Sequence, residues 1–215
     1  MAQISFTYPY GTKINSSLPF SQLMLIASKI NISSCGFTEL PHFKDCFELE
    51  ELICSDNKIG ELKLSNCPKL RTIICRECDL NSLEISNCPL LQKLDVGKNH
   101  LTKLPAGLDL TYLNCSDNQI QKVPMFKNLK YFFCDNDKIG FLPSMLNLKE
   151  LGCSKNKLRR LPSKLPKIRR IDCRFNLLRT ISKYPKMKIC DCFGNQISKE
   201  LADTIPGAIN ESWHW

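Results

Sequence analysis

Thirteen cysteines among 215 residues are the first candidates for chemistry. Thiolates spaced as Cys75-x-x-Cys78 or Cys190-x-Cys192 could ligate zinc, which takes four sulfur or nitrogen ligands in a tetrahedron. No second cysteine pair stands out as the other half of such a shell. The histidines, His42, His100 and His214, are isolated in sequence. There is no G-x-S-x-G nucleophile elbow, no G-x-x-x-x-G-K phosphate loop and no H-E-x-x-H zinc helix. The expectation is therefore a protein with no metal, no cofactor, no small-molecule substrate and no catalysis. The opening residues MAQISFTYPYGTK lack the basic and then apolar regions of an export signal. No run approaches the 18 or so apolar residues that span a bilayer. A cytoplasmic protein with free thiols is the expectation, since a reducing compartment keeps cysteines unpaired.

A repeat positions these residues. Leu49-Glu-Glu-Leu52-Ile-Cys54-Ser-Asp-Asn57-Lys-Ile59 sets a template, L-x-x-L-x-C-x-x-N-x-L, that returns at Leu91, Leu110 and Leu148. Variants start at Leu70, Leu129, Ile168 and Met187, and a degenerate copy starts near Ala27, making nine. Apolar and variable residues alternate around the central leucine, which predicts a short strand with its leucine and cysteine turned inward. One coil cannot bury that side alone, so the coils must stack and pair their strands in parallel. Leu-Pro pairs at Leu40-Pro41, Leu104-Pro105, Leu142-Pro143 and Leu161-Pro162 predict extended return segments, too short for full helices. The template also accounts for the thiols. Cys54, Cys75, Cys115, Cys134, Cys153, Cys173 and Cys192 share one inward position, where a thiol serves as a small hydrophobe. Asparagines 57, 99, 118, 156, 176 and 195 form a second column, predicted to bond the backbone of adjacent turns. Cys35, Cys78 and Asp137 interrupt that column and should weaken it locally.

This consensus resembles the leucine-rich-repeat family over about residues 27–200. The repeat spacing and the Leu-Pro returns are similar to the short bacterial subclass found in effectors that pathogens deliver into host cells. The resemblance implies an α/β-type solenoid, mostly β with little helix: a right-handed superhelix or horseshoe with a parallel sheet of about nine strands on its concave face. It also implies a virulence role and delivery into a host cell. Some effectors of this kind carry a ubiquitin-ligase domain with a cysteine followed by an aspartate, but Cys190-Asp191 lies inside the ninth repeat. A single domain is expected over 1–215. It comprises an N-terminal cap over 1–26, nine repeats over 27–197 and a C-terminal cap over 198–215. Within the last, Ser198 caps a short helix, and Trp213-His214-Trp215 either folds back over the final coil, the favoured reading, or serves as a docking peptide.

Outward residues beside the inward leucine indicate function. Tyr112, Tyr131 and Phe133 fall on adjacent central strands and Phe175 just after its own, and aromatic residues of this kind dominate interface energetics. From 149 to 188 the chain holds 14 lysines and arginines against two acids, whereas the whole carries +9. Lys149, Arg169, Arg170 and Arg174 are expected on or near the strands. The function predicted is recognition of a protein partner with an acidic surface by a monomer, through these eight residues. Two rival readings use other surfaces: a binder of nucleic acid or anionic membrane through the basic end, which steers anions, and an adaptor for a ubiquitin-ligase machine.

Overall fold

The computed structural model describes residues 4–7, 19–205 and 208–209, in two compact units, 1–101 and 102–215. The first unit holds β1 (Ser5–Thr7), α1 (Phe20–Ile26), β2 (Lys29–Asn31), β3 (Phe43–Lys44), β4 (Glu51–Ile53), β5 (Glu61–Ser65), β6 (Thr72–Ile74), β7 (Ser82–Ser86) and β8 (Lys93–Asp95). Strands β2, β4, β6 and β8 run parallel in that order, and β1 lies antiparallel against β2. The second unit holds β9 (Tyr112–Asn114), β10 (Tyr131–Phe133), β11 (Glu150–Gly152), β12 (Arg170–Asp172), β13 (Ile189–Asp191), α2 (Lys199–Ala202) and β14 (Ala208–Ile209). Its strands pair in parallel in chain order. Each unit is thus a mostly-β parallel solenoid, and a strand stands at the third to fifth positions of all nine repeat copies.

The burial pattern follows the template. Leu148, Leu151 and Cys153 are buried, while Glu150 between them is half-buried. Pairing continues past each short strand: the N–H groups of Cys134, Cys153 and Cys173 donate to the carbonyls of Gly152, Asp172 and Asp191 in the next coil, each at 2.8 Å. Two residues later the chain turns through a left-handed residue in every copy. Ser34, Asp56, Glu77, Lys98, Asp117, Asn136, Lys155 and Phe175 have φ between 53° and 58°, and Gly194 has 69°. That conformation costs a side-chain-bearing residue roughly 1–2 kcal/mol. It is held because it aims an N–H at the next coil, as from Lys155 to Arg174 O and from Phe175 to Phe193 O, both 2.8 Å.

The asparagine column does what its pattern predicts. Asn176 is 5% exposed. Its Nδ2 donates to Cys153 O, Cys173 O and Arg174 O at 2.8, 3.1 and 3.2 Å, and its Oδ1 accepts Leu158 N–H at 2.9 Å. Asn57, Asn99, Asn156 and Asn195 likewise join two coils. Where Cys78 interrupts the column, its thiol donates to Cys54 O and Arg76 O at 3.1 and 3.2 Å, a partial replacement for the amide. Asp137 keeps the acceptor half only: Oδ1 accepts Ile120 N–H at 2.8 Å, while Oδ2 has the Cys115 thiol 4.0 Å away.

The return segments of the two units differ. In the first unit β3, β5 and β7 form a second parallel sheet, which the extended-return expectation did not anticipate. Leu62 and Leu64 alternate with Glu61 and Lys63 on β5, so the return carries its own strand period. The copies concerned are 21 or 22 residues apart, which leaves room for a second strand. In the second unit the returns after β10 and β11 carry Leu142-Pro143 and Leu161-Pro162 and form no strand.

At the chain's start, α1 buries Met24, and Phe20 packs against Phe6 and Phe37 with centroids 5.8 and 5.9 Å apart. Near its end, Ser198 Oγ accepts Leu201 N–H at 3.3 Å, as a cap should. Trp213-His214-Trp215 lies outside the described residues. No helix among the described residues is long and apolar enough to cross a membrane.

Candidate recognition surface

On β9 and β10 the inward residues Leu113 and Phe132 are buried, which turns their neighbours to the open face. Parallel register sets Tyr131 beside Tyr112 and Phe133 beside Asn114. The Tyr112 and Phe133 rings meet diagonally, centroids 5.8 Å apart and planes tilted by 50°. Tyr131 is 38% exposed, and Tyr112 and Phe133 are half-buried. The three therefore form one amphipathic patch of neighbouring rings, the arrangement that buries large area at small entropic cost.

Gly152 on β11 seats this patch. A Cβ placed there would lie 3.0 Å from Phe133 Cδ1 and 2.8 Å from Asp135 Oδ2. Asp135 itself is fixed: Oδ1 accepts Ser154 N–H and Oγ–H at 2.7 Å each, and Oδ2 accepts the Ser116 hydroxyl at 3.4 Å. The shorter contact is the carboxylate's, so Oδ2 must shift from its 3.4 Å bond to Ser116, and the ring must give as well. Gly152→Ala is expected to displace the Phe133 ring and to destabilise the second unit by about 1–3 kcal/mol. Denaturant unfolding checks the cost, and a loss below about 0.3 kcal/mol would show that the carboxylate and the ring both have room to move.

The predicted cations divide into two kinds. Arg174 is locked: Nη2 meets Asp172 Oδ2 at 2.7 Å, and Nε meets Asp172 Oδ1 at 2.9 Å and Asp191 Oδ2 at 3.3 Å. The hydrogen bonds and charge of Asp172, reinforced by Asp191, raise its pKa and hold it cationic. Arg170 lies 3.7 Å from Glu150 Oε1. Lys149 and Arg169, immediately before β11 and β12, have no ion pair among the described residues. Phe175 stands apart from the β9–β10 patch. It is 46% exposed and meets Phe193 edge-on at 5.4 Å. The structure thus brings Tyr112, Tyr131 and Phe133 together, and places acids among the cations. The sequence reading missed Asp135, which a Ser116, Asp135, Ser154 column two residues after each strand could have marked, and Gly152, which carried no signal in its type.

Burial pushes the Cys134 and Cys153 thiols well up, so they stay protonated and inert. Among the described residues no group of three or more His, Cys, Asp or Glu side chains is arranged to hold a metal ion. His42 Nε2 lies 2.9 Å from Ser65 Oγ on the exposed return side of the first unit, and His100 lies 3.6 Å from Asp79.

No family model matches the chain, and no curated protein matches it. Solved structures do. YopM, a leucine-rich effector protein from Yersinia pestis, superposes with a TM-score of 0.65 at 22% identity, over 78% of this chain and 55% of its own. A leucine-rich-repeat protein of Leptospira interrogans gives 0.51 at 20% identity, over 74% of this chain and 58% of its own. The chain spans a little over half the length of each. The likeness shows that the fold is that of leucine-rich-repeat proteins, an architecture whose stacked strands present a binding surface.

Proposed function

We propose that this chain is a non-catalytic protein-recognition module, binding its partner on the strand face of residues 102–215. The observation that carries the reading is the patch of Tyr112, Tyr131 and Phe133, three aromatic side chains on two paired strands and partly open to solvent. Lys149 and Arg169 flank it as uncommitted cations that suit acidic groups on the partner, while Arg170, Arg174 and Phe175 extend the surface toward its end. The likeness to YopM, described as an effector, supports a further step: a bacterial protein acting inside a host cell.

Affinity capture from eukaryotic and bacterial lysates, at low and high salt, tests both parts. The wild-type chain is compared with Tyr112→Ala/Tyr131→Ala/Phe133→Ala. A discrete protein retained in salt and weakened at least tenfold by the triple substitution is expected, given that central aromatics carry about 2 kcal/mol or more each. Equal capture by both chains would refute the patch. A partner present only in the bacterial lysate would refute the host-directed part. Capture of nucleic acid or lipid alone, washed off by salt, would move function to the basic surface.

A further inference from the structure

Part of the second unit's positive charge is gathered away from the strand face. Four to seven residues after each inward cysteine position, the coils pass along one flank of the unit. There, residues 119–122, 138–141, 157–160 and 177–180 hold six lysines and arginines (Lys122, Lys138, Lys157, Arg159, Arg160 and Arg179) and no acid. Asp135, Glu150, Asp172 and Asp191 sit on or beside the strands, where Asp172 and Asp191 neutralise Arg174, and Asp117 and Asp137 stand just before the flank segments. The flank segments themselves therefore carry six cations and no acid.

Within it lies a cleft of about 310 Å³ lined by Arg159, Leu177, Arg179 and Gln196. Arg159 and Arg179 occupy the same template position in consecutive coils, roughly 5 Å apart along the stack by strand spacing. Arg159 makes no hydrogen bond or ion pair among the described residues. Arg179 makes one weak contact, Nε to Gln196 Oε1 at 3.4 Å. Arg160, by contrast, is drawn aside onto the Phe141 ring at 5.9 Å. Like charges held at equivalent positions of paired coils repel, and here no acid relieves them.

We propose that the cleft between Arg159 and Arg179 binds a phosphate group. A carboxylate is satisfied by the fork of one guanidinium. A tetrahedral dianion presents enough oxygens and charge for two, one from each coil, with Leu177 and the Gln196 amide closing the sides. The group belongs to a soluble phosphate or to a lipid headgroup, two sources with the same chemistry at the site. The inference is independent of the strand-face reading, because none of the four lining residues lies on that face.

The test is a titration of the full chain with inorganic phosphate at constant ionic strength, following the arginine Nε–H signals by NMR. Constant ionic strength separates binding from screening. The expected result is saturable movement of the Arg159 and Arg179 signals. Arg159→Gln/Arg179→Gln is expected to weaken binding at least tenfold, while Lys183→Gln/Lys186→Gln, an equal change of charge in an exposed return segment, leaves it within twofold. Absence of saturable movement, or equal loss in the two double variants, would overturn the proposal. Vesicles bearing a phosphatidylinositol monophosphate then separate the sources. Vesicle binding lost in the Arg159/Arg179 variant identifies a headgroup, and phosphate binding without vesicle binding identifies a soluble ligand.

Discussion

Replacing Asn176 by leucine, a side chain of similar volume, is expected to destabilise the second unit by about 4 kcal/mol. The loss is set by what the amide satisfies. Leu158 N–H and the carbonyls of Cys153, Cys173 and Arg174 are bonded by one buried side chain. Leucine offers none of these bonds. Each buried backbone group left without a partner costs about 1–3 kcal/mol, reduced where the coils relax or admit water. Leucine's apolar burial returns part of the loss. The bonds also run between coils, so the fault falls on an interface and weakens neighbours that make no contact with residue 176. Urea unfolding, followed by amide exchange in the coils either side, is the measurement. A change below about 1 kcal/mol would mean that the ladder decorates the stack without holding it.

Asp137→Asn should act in the opposite direction and depend on pH. Asp137 stands in the asparagine column but has no amide protons to give. Desolvation, with smaller contributions from Asp117 and Asp135, pushes its carboxyl up to about 7. In the unfolded chain it titrates near 3.9. Between about pH 4 and pH 7 the native state therefore holds a proton that the unfolded state has lost, and wild-type stability falls as pH rises through this window. Above pH 7 the loss is complete. The asparagine variant keeps the Ile120 N–H bond and adds donors toward the carbonyls that its neighbours in the column serve. It is expected to match wild type near pH 4 and to exceed it by about 2 kcal/mol at pH 8. Thermal midpoints across that range test this: a difference independent of pH would show that the carboxyl is not the cause.

How far the sequence foretold these features depended on whether each is local. The nine strands were legible because Leu-x-Cys alternation fixes face and period within a few residues, and stacking then admits one register. The second sheet of the first unit was not. Phe43–Lys44 is too short to show a period, and the Leu-Pro pairs, Leu40-Pro41 among them, suggested that all returns were alike, so the alternation of Glu61–Ser65 was passed over. Nor did residue type betray the left-handed column, since Glu77, Lys98 and Phe175 favour no such conformation alone. There the next coil's carbonyl, not intrinsic preference, decides. On the candidate surface the neighbouring aromatics followed from register alone. The pairing of Arg174 with Asp172 and Asp191 did not, because it needs two side-chain rotamers and a cross-strand contact at once. A charge sum along the sequence therefore described the end of the chain correctly and its strand face poorly.

The inward column of thiols has a consequence for how the solenoid opens. Cys54, Cys75, Cys115, Cys134, Cys153 and Cys173 are each 0% exposed, one to a coil. Alkylation of any of them requires that its own coil first separate from a neighbour. Where closing outpaces the reagent, the labelling rate of each cysteine relative to a free thiol is the opening equilibrium of that coil. The chain thus carries a ruler graduated in single repeats, on which fraying from an end and fracture in the middle leave different marks.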